Sequence, residues 1–120
     1  MRKASHLCKG ELAETLACSH LQQTGLQLVE KNYRCKGGEI DLIMRDGESL
    51  VFVEVRFRKS SSFGSAAESV TASKQRKLIT AASHYLQRQR NSWPCRFDVV
   101  GITGERDPNI EWIKDAFQSA

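Results

Sequence analysis

Gly38-Glu39-Ile40-Asp41-Leu42-Ile43-Met44, followed across Arg45-Asp46-Gly47-Glu48 by Leu50-Val51-Phe52-Val53-Glu54-Val55-Arg56-Phe57, is the stretch on which the fold turns. Two apolar runs rich in β-branched residues flank an Asp-Gly pair, the composition of a tight hairpin. In the second run Val51, Val53, Val55 and Phe57 point to one face, and Phe52, Glu54 and Arg56 to the other. A strand apolar on both faces is a central one, and Glu54 and Arg56 are charges that a purely structural strand would not bury. Asp41 interrupts the first run in the same way. With Asp46-Gly47 as the turn, Asp41 lies diagonal to Glu54; with Gly47-Glu48 it faces Glu54 directly. Either register puts the two acids on one face.

On the N-terminal side, Leu12, Ala13, Leu16, Ala17 and Leu21 recur at helical spacing, which predicts a first helix from about Lys9 to Thr24, stopped by Gly25. A strand is expected over Leu26 to Arg34, closed by Lys36-Gly37-Gly38. On the C-terminal side, Thr71 caps a second helix reaching to about Gln89, with Leu78, Ile79, Ala82, Tyr85 and Leu86 as its apolar stripe. Lys74 falls on that inward face, whereas Arg76, Arg88 and Arg90 fall outside it. Trp93-Pro94 breaks the chain before a strand at Arg96 to Ile102, a turn at Thr103-Gly104-Glu105 and a short strand at Ile110 to Ile113. The order αβββαββ describes one α/β domain over residues 1–120, a mixed sheet covered by helices.

Hydrophobic residues at 40%, charged residues at 27% and only two prolines exclude a disordered or fibrous chain of this length. No apolar segment follows Met1-Arg2-Lys3, and the longest purely apolar run is Leu50 to Val53, so neither a signal peptide nor a membrane span is expected. The four cysteines, 8, 18, 35 and 95, are scattered singly. They read as reduced thiols in a cytoplasmic protein. The pairs His6/Cys8 and Cys18/His20 match no usual zinc spacing. The net charge of +4 hides a partition: residues 56 to 96 carry nine Lys or Arg and one acid, Glu68, a net +8, while the rest of the chain carries nine basic and thirteen acidic residues, a net −4. A basic segment beside an acidic one points to a polyanion held near a cation site.

Two carboxylates closing in a half-buried site repel and lose hydration, a cost that a divalent cation offsets directly. Hard oxygen ligands of this kind suit Mg²⁺ or Mn²⁺. A structural alternative stands beside this for either acid alone, because Arg56, Arg58 and Lys74 could each hold a buried acid in a salt bridge. Taken together, Asp41, Glu54 and Arg56 form the constellation D-x₁₂-E-x-R, which favours a site.

Gly10-x₃-Glu14, Gly38-Glu39-Ile40-Asp41-Leu42-Ile43, Val51-Phe52-Val53-Glu54-Val55-Arg56-x-Arg58, Lys74-x₂-Lys77-Leu78 and Arg96-Phe97-Asp98-Val99 resemble the YraN family, whose members are mostly uncharacterised. The likeness runs through Trp112-Ile113-Lys114-Asp115-Ala116-Phe117. That family is similar in its core to the PD-(D/E)XK superfamily of restriction endonucleases and archaeal Holliday junction resolvases. The resemblance implies a restriction-endonuclease-like core, a mixed four- or five-stranded sheet flanked by helices, with a metal-dependent phosphodiesterase site. It makes Asp41 and Glu54 metal ligands, Glu14 a supporting acid, and Arg56 the occupant of the lysine position. The similarity to junction resolvases also implies a homodimer.

Phosphodiester hydrolysis needs a metal to lower the pKa of a bound water and to stabilise charge on the phosphoryl oxygens. The main-chain carbonyl of Val55 could complete the metal shell. Arginine at position 56 holds a water or a phosphate but does not act as a general base at neutral pH, which leaves a metal hydroxide, Lys74 or the substrate phosphate to assist. Arg58, Lys59, Lys74, Arg76 and Lys77 supply charge for phosphate contacts, which give affinity without base specificity. The Lys59 to Ser65 loop could close over substrate. Asp98, next to Arg96, reads as structural, and Trp112 and Phe117 as core or an oligomer contact. The expectation is a Mg²⁺- or Mn²⁺-dependent endonuclease acting on DNA rather than RNA, with branched and single-stranded DNA as the candidate substrates. The rival is a non-catalytic nucleic-acid-binding module on the same fold.

Overall fold

Gly47 adopts φ +63 at the first position of a two-residue turn, the Gly-X pattern of a II′ hairpin, and this sets the register of the sheet. Strand β2 (Gly38–Asp46) and strand β3 (Ser49–Arg58) pair antiparallel with Leu42 opposite Val53, Ile43 opposite Phe52 and Asp46 opposite Ser49. Of the two turns open to the sequence, the structure, a computed structural model describing residues 9–60, 64–90 and 92–118, therefore takes Gly47-Glu48. The next pair beyond Leu42 and Val53 is Asp41 and Glu54.

The remaining elements are helix α1 (Lys9–Gln23), β1 (Gln27–Cys35), a 3₁₀ turn (Ala67–Ser69), α2 (Ala72–Gln87), β4 (Cys95–Thr103) and β5 (Asn109–Phe117). Among the described residues the five strands form one sheet in the order β1-β2-β3-β4-β5. Only β3 and β4 run parallel, and the crossover between them carries α2. As its two-sided apolar pattern predicts, β3 is central.

Alternation along β3 divides the interior into two layers. Phe52 packs with Ile40, Ile43, Phe97 and Val99 under Leu78, Ala81, Ala82 and Tyr85 of α2. On the other side Val51 and Val53 pack with Leu42, Met44, Val100 and Ile102 under Ala13, Ala17, Cys18 and Leu21 of α1. The chain is thus a single α/β domain, a mixed sheet between helices, as expected. Thr71 caps α2, its hydroxyl accepting from the Lys74 N–H at 3.1 Å.

Two expectations are corrected. Leu12 and Leu16, two of the five apolar residues at helical spacing in the first helix, are 41% and 39% exposed. The sheet meets the narrower Ala13-Ala17-Leu21 line, and small residues there bring the helix close enough to leave the leucines on its shoulder. The final strand is longer than Ile110 to Ile113: Asp115, at φ +53, bends it, and pairing resumes with Phe117 opposite Phe97. His6, Cys8 and part of the Ser60 to Ser65 loop lie outside the described residues. The described cysteines, 18, 35 and 95, are free thiols. Among the described residues no helix is long and apolar enough to cross a membrane.

Gly38 marks the closest approach of β2 to α2. A β-carbon there would lie 2.1 Å from the Lys77 carbonyl oxygen and 3.3 Å from the Ala81 β-carbon. Gly38→Ala is therefore expected to displace α2 and lower unfolding stability by roughly 1–3 kcal/mol, measured by urea denaturation.

Candidate active site

The β2/β3 ladder ends at Leu42 and Val53, and beyond it the strands part around their acids. The Val55 N–H, instead of pairing with backbone, donates to Asp41 Oδ2 at 2.8 Å and fixes that carboxylate. Glu54 is 3% exposed. Its Oε2 lies 3.4 Å from Arg56 Nη1 and 3.5 Å from Lys74 Nζ. Lys74 reaches it from the first turn of α2, as its place on the inward face predicts.

Burial, and next the negative charge of Asp41, push the Glu54 carboxyl up to about 7, although Lys74 and Arg56 oppose the rise. Asp41 is also raised, by burial first, with the Val55 N–H, Glu54 and Lys74 opposing. Glu14 on α1 is half-buried and raised, by burial and then by Asp41, while the Asn32 side chain holds it down. Asn32 sits at φ +51 on β1. Three acids from α1, β2 and β3 thus act on one another. Among the described residues, however, no three His, Cys, Asp or Glu close into a group able to hold a metal. A shell built here has two carboxylates, Asp41 and Glu54, with the Val55 N–H on the first of them.

This donor set fits a hard divalent cation. Mg²⁺ retains several waters and is held by one or two carboxylates plus substrate phosphate. Burial is the main cause of both raised acids, a desolvation cost that a cation bound beside them would offset.

Arg56 is positioned by a residue that sequence reasoning missed. Its Nε donates to Ser69 Oγ at 3.2 Å, and that hydroxyl donates to the Ala66 carbonyl at 2.6 Å. Ser69 lies thirteen residues on, in the 3₁₀ turn, and no local pattern connects the two. Asn32 was likewise missed. Its left-handed backbone was the only signal, and that is invisible without coordinates.

The basic residues separate into two groups. Arg58 is half-buried, its Nη1 donating to the Gly64 carbonyl at 2.5 Å, while Lys59, Arg76 and Lys77 are exposed. Arg88 is engaged by the Tyr33 hydroxyl at 3.4 Å. Arg96 is spent on Asp98 and Asp46, each at 3.0 Å. Asp98 is wholly buried and belongs to the opposite face of the sheet from Glu54, the face that carries Val100 and Ile102. Phe117 stacks on Phe97 with ring centroids 5.0 Å apart.

The model of an uncharacterised protein family, UPF0102, matches residues 13–102. A UPF0102 protein of Nitrosococcus oceani is 57% identical over 121 residues, covering 98% of this chain and 98% of the relative. One from Nitrosomonas europaea is 55% identical over 112 residues, covering 93% and 95%. One from Saccharophagus degradans is 57% identical over 116 residues, covering 95% and 96%.

Proposed function

The chain belongs to the uncharacterised protein family UPF0102, the YraN-like family, and since that name carries no activity we propose from the acid pair that it is a Mg²⁺- or Mn²⁺-dependent endonuclease acting on DNA. One observation carries the proposal. A carboxyl 3% exposed, opposite a second carboxylate, stays raised to about 7 although Arg56 and Lys74 both reach it. Burial raises that acid most and the facing Asp41 raises it further, and a bound cation would relieve both costs.

When bound, the cation would supply an activated water and neutralise charge growing on the phosphoryl oxygens. Asp41, oriented by the Val55 N–H, Glu54 and the Val55 carbonyl would hold it, with Glu14 adding negative charge from α1. Arg56, braced by Ser69, would grip a non-bridging phosphate oxygen. As a guanidinium it does not take the proton of the attacking water. Lys74 offers a second cation to the same phosphate, and Arg58, Lys59, Arg76 and Lys77 extend the positive surface along the nucleic acid. A restriction-endonuclease-like core is in keeping with this order of strands and with acids at the parting of a central hairpin.

Purified protein is expected to cut at least one member of a panel of duplex, single-stranded, flap and four-way DNA in Mg²⁺ or Mn²⁺, with Glu54→Ala inactive. Salt-dependent binding without metal-dependent product would instead favour a non-catalytic binding module, for which Arg56 in the lysine position is the supporting observation.

A further inference from the structure

We propose that the groove between the β1–β2 turn and the first turns of α2 holds the phosphodiester backbone of one strand beside the bond that is cut, with Arg34 as its outer anchor and Glu39 as a competing latch. This rests on the nuclease reading of the neighbouring acid pair. Arg34, Lys74 and Lys77 line the groove against a single acid, Glu39, and its volume of about 430 Å³ lies in the range of nucleotide-sized ligand sites. Gly37 and Gly38 form its wall without side chains, and Gly38 lies hard against the Lys77 carbonyl. Turn and helix therefore meet at the floor of the groove, and a backbone would lie along its open side over the two glycines.

Lys74 belongs to both places. It lines the groove, and its Nζ lies 3.5 Å from Glu54 Oε2, so one side chain joins the groove to the acid pair. Lys77 makes no ion pair among the described residues. Arg34 does: its Nε lies 3.3 Å from Glu39 Oε1, directly across the β1/β2 ladder. Both side chains are mostly exposed, at 74% and 51%, and an ion pair of that kind adds little stability. A phosphate offers the guanidinium a bidentate partner instead, so an arriving strand displaces Glu39 from Arg34. Opposite signs follow for the two partners, which a merely structural pair would not give.

The test is binding of a labelled single-stranded DNA oligonucleotide at low salt without added metal, followed by cleavage kinetics in Mg²⁺ or Mn²⁺. Arg34→Ala and Lys77→Ala should each weaken binding about three- to tenfold and flatten the log–log salt slope by about 0.7. Glu39→Gln should tighten binding about threefold by releasing Arg34. In cleavage the three variants should shift KM in the same directions with kcat unchanged. The groove is wrong if wild type binds and all three variants match it, if Glu39→Gln weakens binding, or if wild type binds no oligonucleotide. A wild type that binds with the expected pattern yet cuts nothing supports the groove and overturns the nuclease reading alone.

Discussion

Glu54→Gln is expected to abolish cleavage, by on the order of 10²–10³-fold or more, while making the metal-free protein more stable than wild type at pH 8. On the proposed nuclease reading, the loss of activity follows from removing one of the two carboxylates that would hold the cation. The gain follows from the sign of the shift. The Glu54 carboxyl is raised from 4.5 to about 7 in the folded protein, by burial and by Asp41. Below about pH 4.5 both folded and unfolded chains hold the proton, and ionisation costs nothing. Between 4.5 and 7 the unfolded chain releases its proton while the folded one retains it, so stability falls as pH rises and levels off above 7. A shift of this size corresponds to an upper bound of about 3 kcal/mol, and glutamine, which does not titrate, removes that fall. Arg56 and Lys74, each about a third exposed in their side chains, can turn to solvent when the charge is gone.

Urea denaturation in EDTA at pH 5 and pH 8 checks the prediction. The excess stability of Glu54→Gln should grow between the two. Added Mg²⁺ should then stabilise wild type at pH 8 and leave the variant unchanged, because only a folded state that binds the ion gains from it. A variant less stable than wild type at pH 8, with no response to Mg²⁺, would show Glu54 to be the centre of a structural salt bridge with Arg56 and Lys74.

The parts of this fold legible in the sequence are those governed by a short period. Alternation along residues 50–57 gave β3 two buried faces and set Glu54 and Arg56 together on one of them, and 3.6-residue spacing turned Lys74 inward from α2. Asp41 opposite Glu54 was legible up to a choice of turn, which the backbone of Gly47 resolves. What was not legible depends on contacts between distant segments. Ser69 reaches Arg56 only because the 3₁₀ turn lies against β4, and Arg34 meets Lys74 and Lys77 only because Gly38 lets β2 touch α2. Leu12 and Leu16 matched the helical period and still lie half-exposed, since period fixes a face of the helix but not how much of that face the sheet covers. The end of β5 was misread for a different reason. Lys114-Asp115 looks like a polar turn, yet the Asp115 N–H donates to buried Asp98, and the strand continues through the bend.

That contact underlies the largest expected loss of stability. Asp98→Ala should destabilise the protein by about 3–5 kcal/mol, because the wholly buried carboxylate is removed while its partners stay. Asp98 accepts from Arg96 Nε at 3.0 and 3.2 Å, from Trp112 Nε1 at 2.9 Å and from the Asp115 N–H at 2.9 Å. Two of these donors belong to β5, an edge strand tied to the sheet through β4. Arg96 also holds Asp46 at the hairpin end, so the same carboxylate connects β5 to the β2–β3 turn. Its removal orphans the indole and amide donors of β5 and leaves the guanidinium with Asp46 alone, on a side chain 21% exposed. Hydrogen exchange should show the amides of residues 109–117 losing protection before those of β2 and β3. Asp98→Asn keeps the shape and part of the acceptor set, and it should cost less and leave kcat within about twofold of wild type, since ΔΔG‡ near zero is the mark of a group outside the reacting centre. The face of the sheet decides this: Glu54 shares its layer with Phe52 and α2, whereas Asp98 lies with Val100 and Ile102 beneath α1. An Asp98→Asn protein as stable as wild type but inactive would place a second acid in the chemistry and move the site across the sheet.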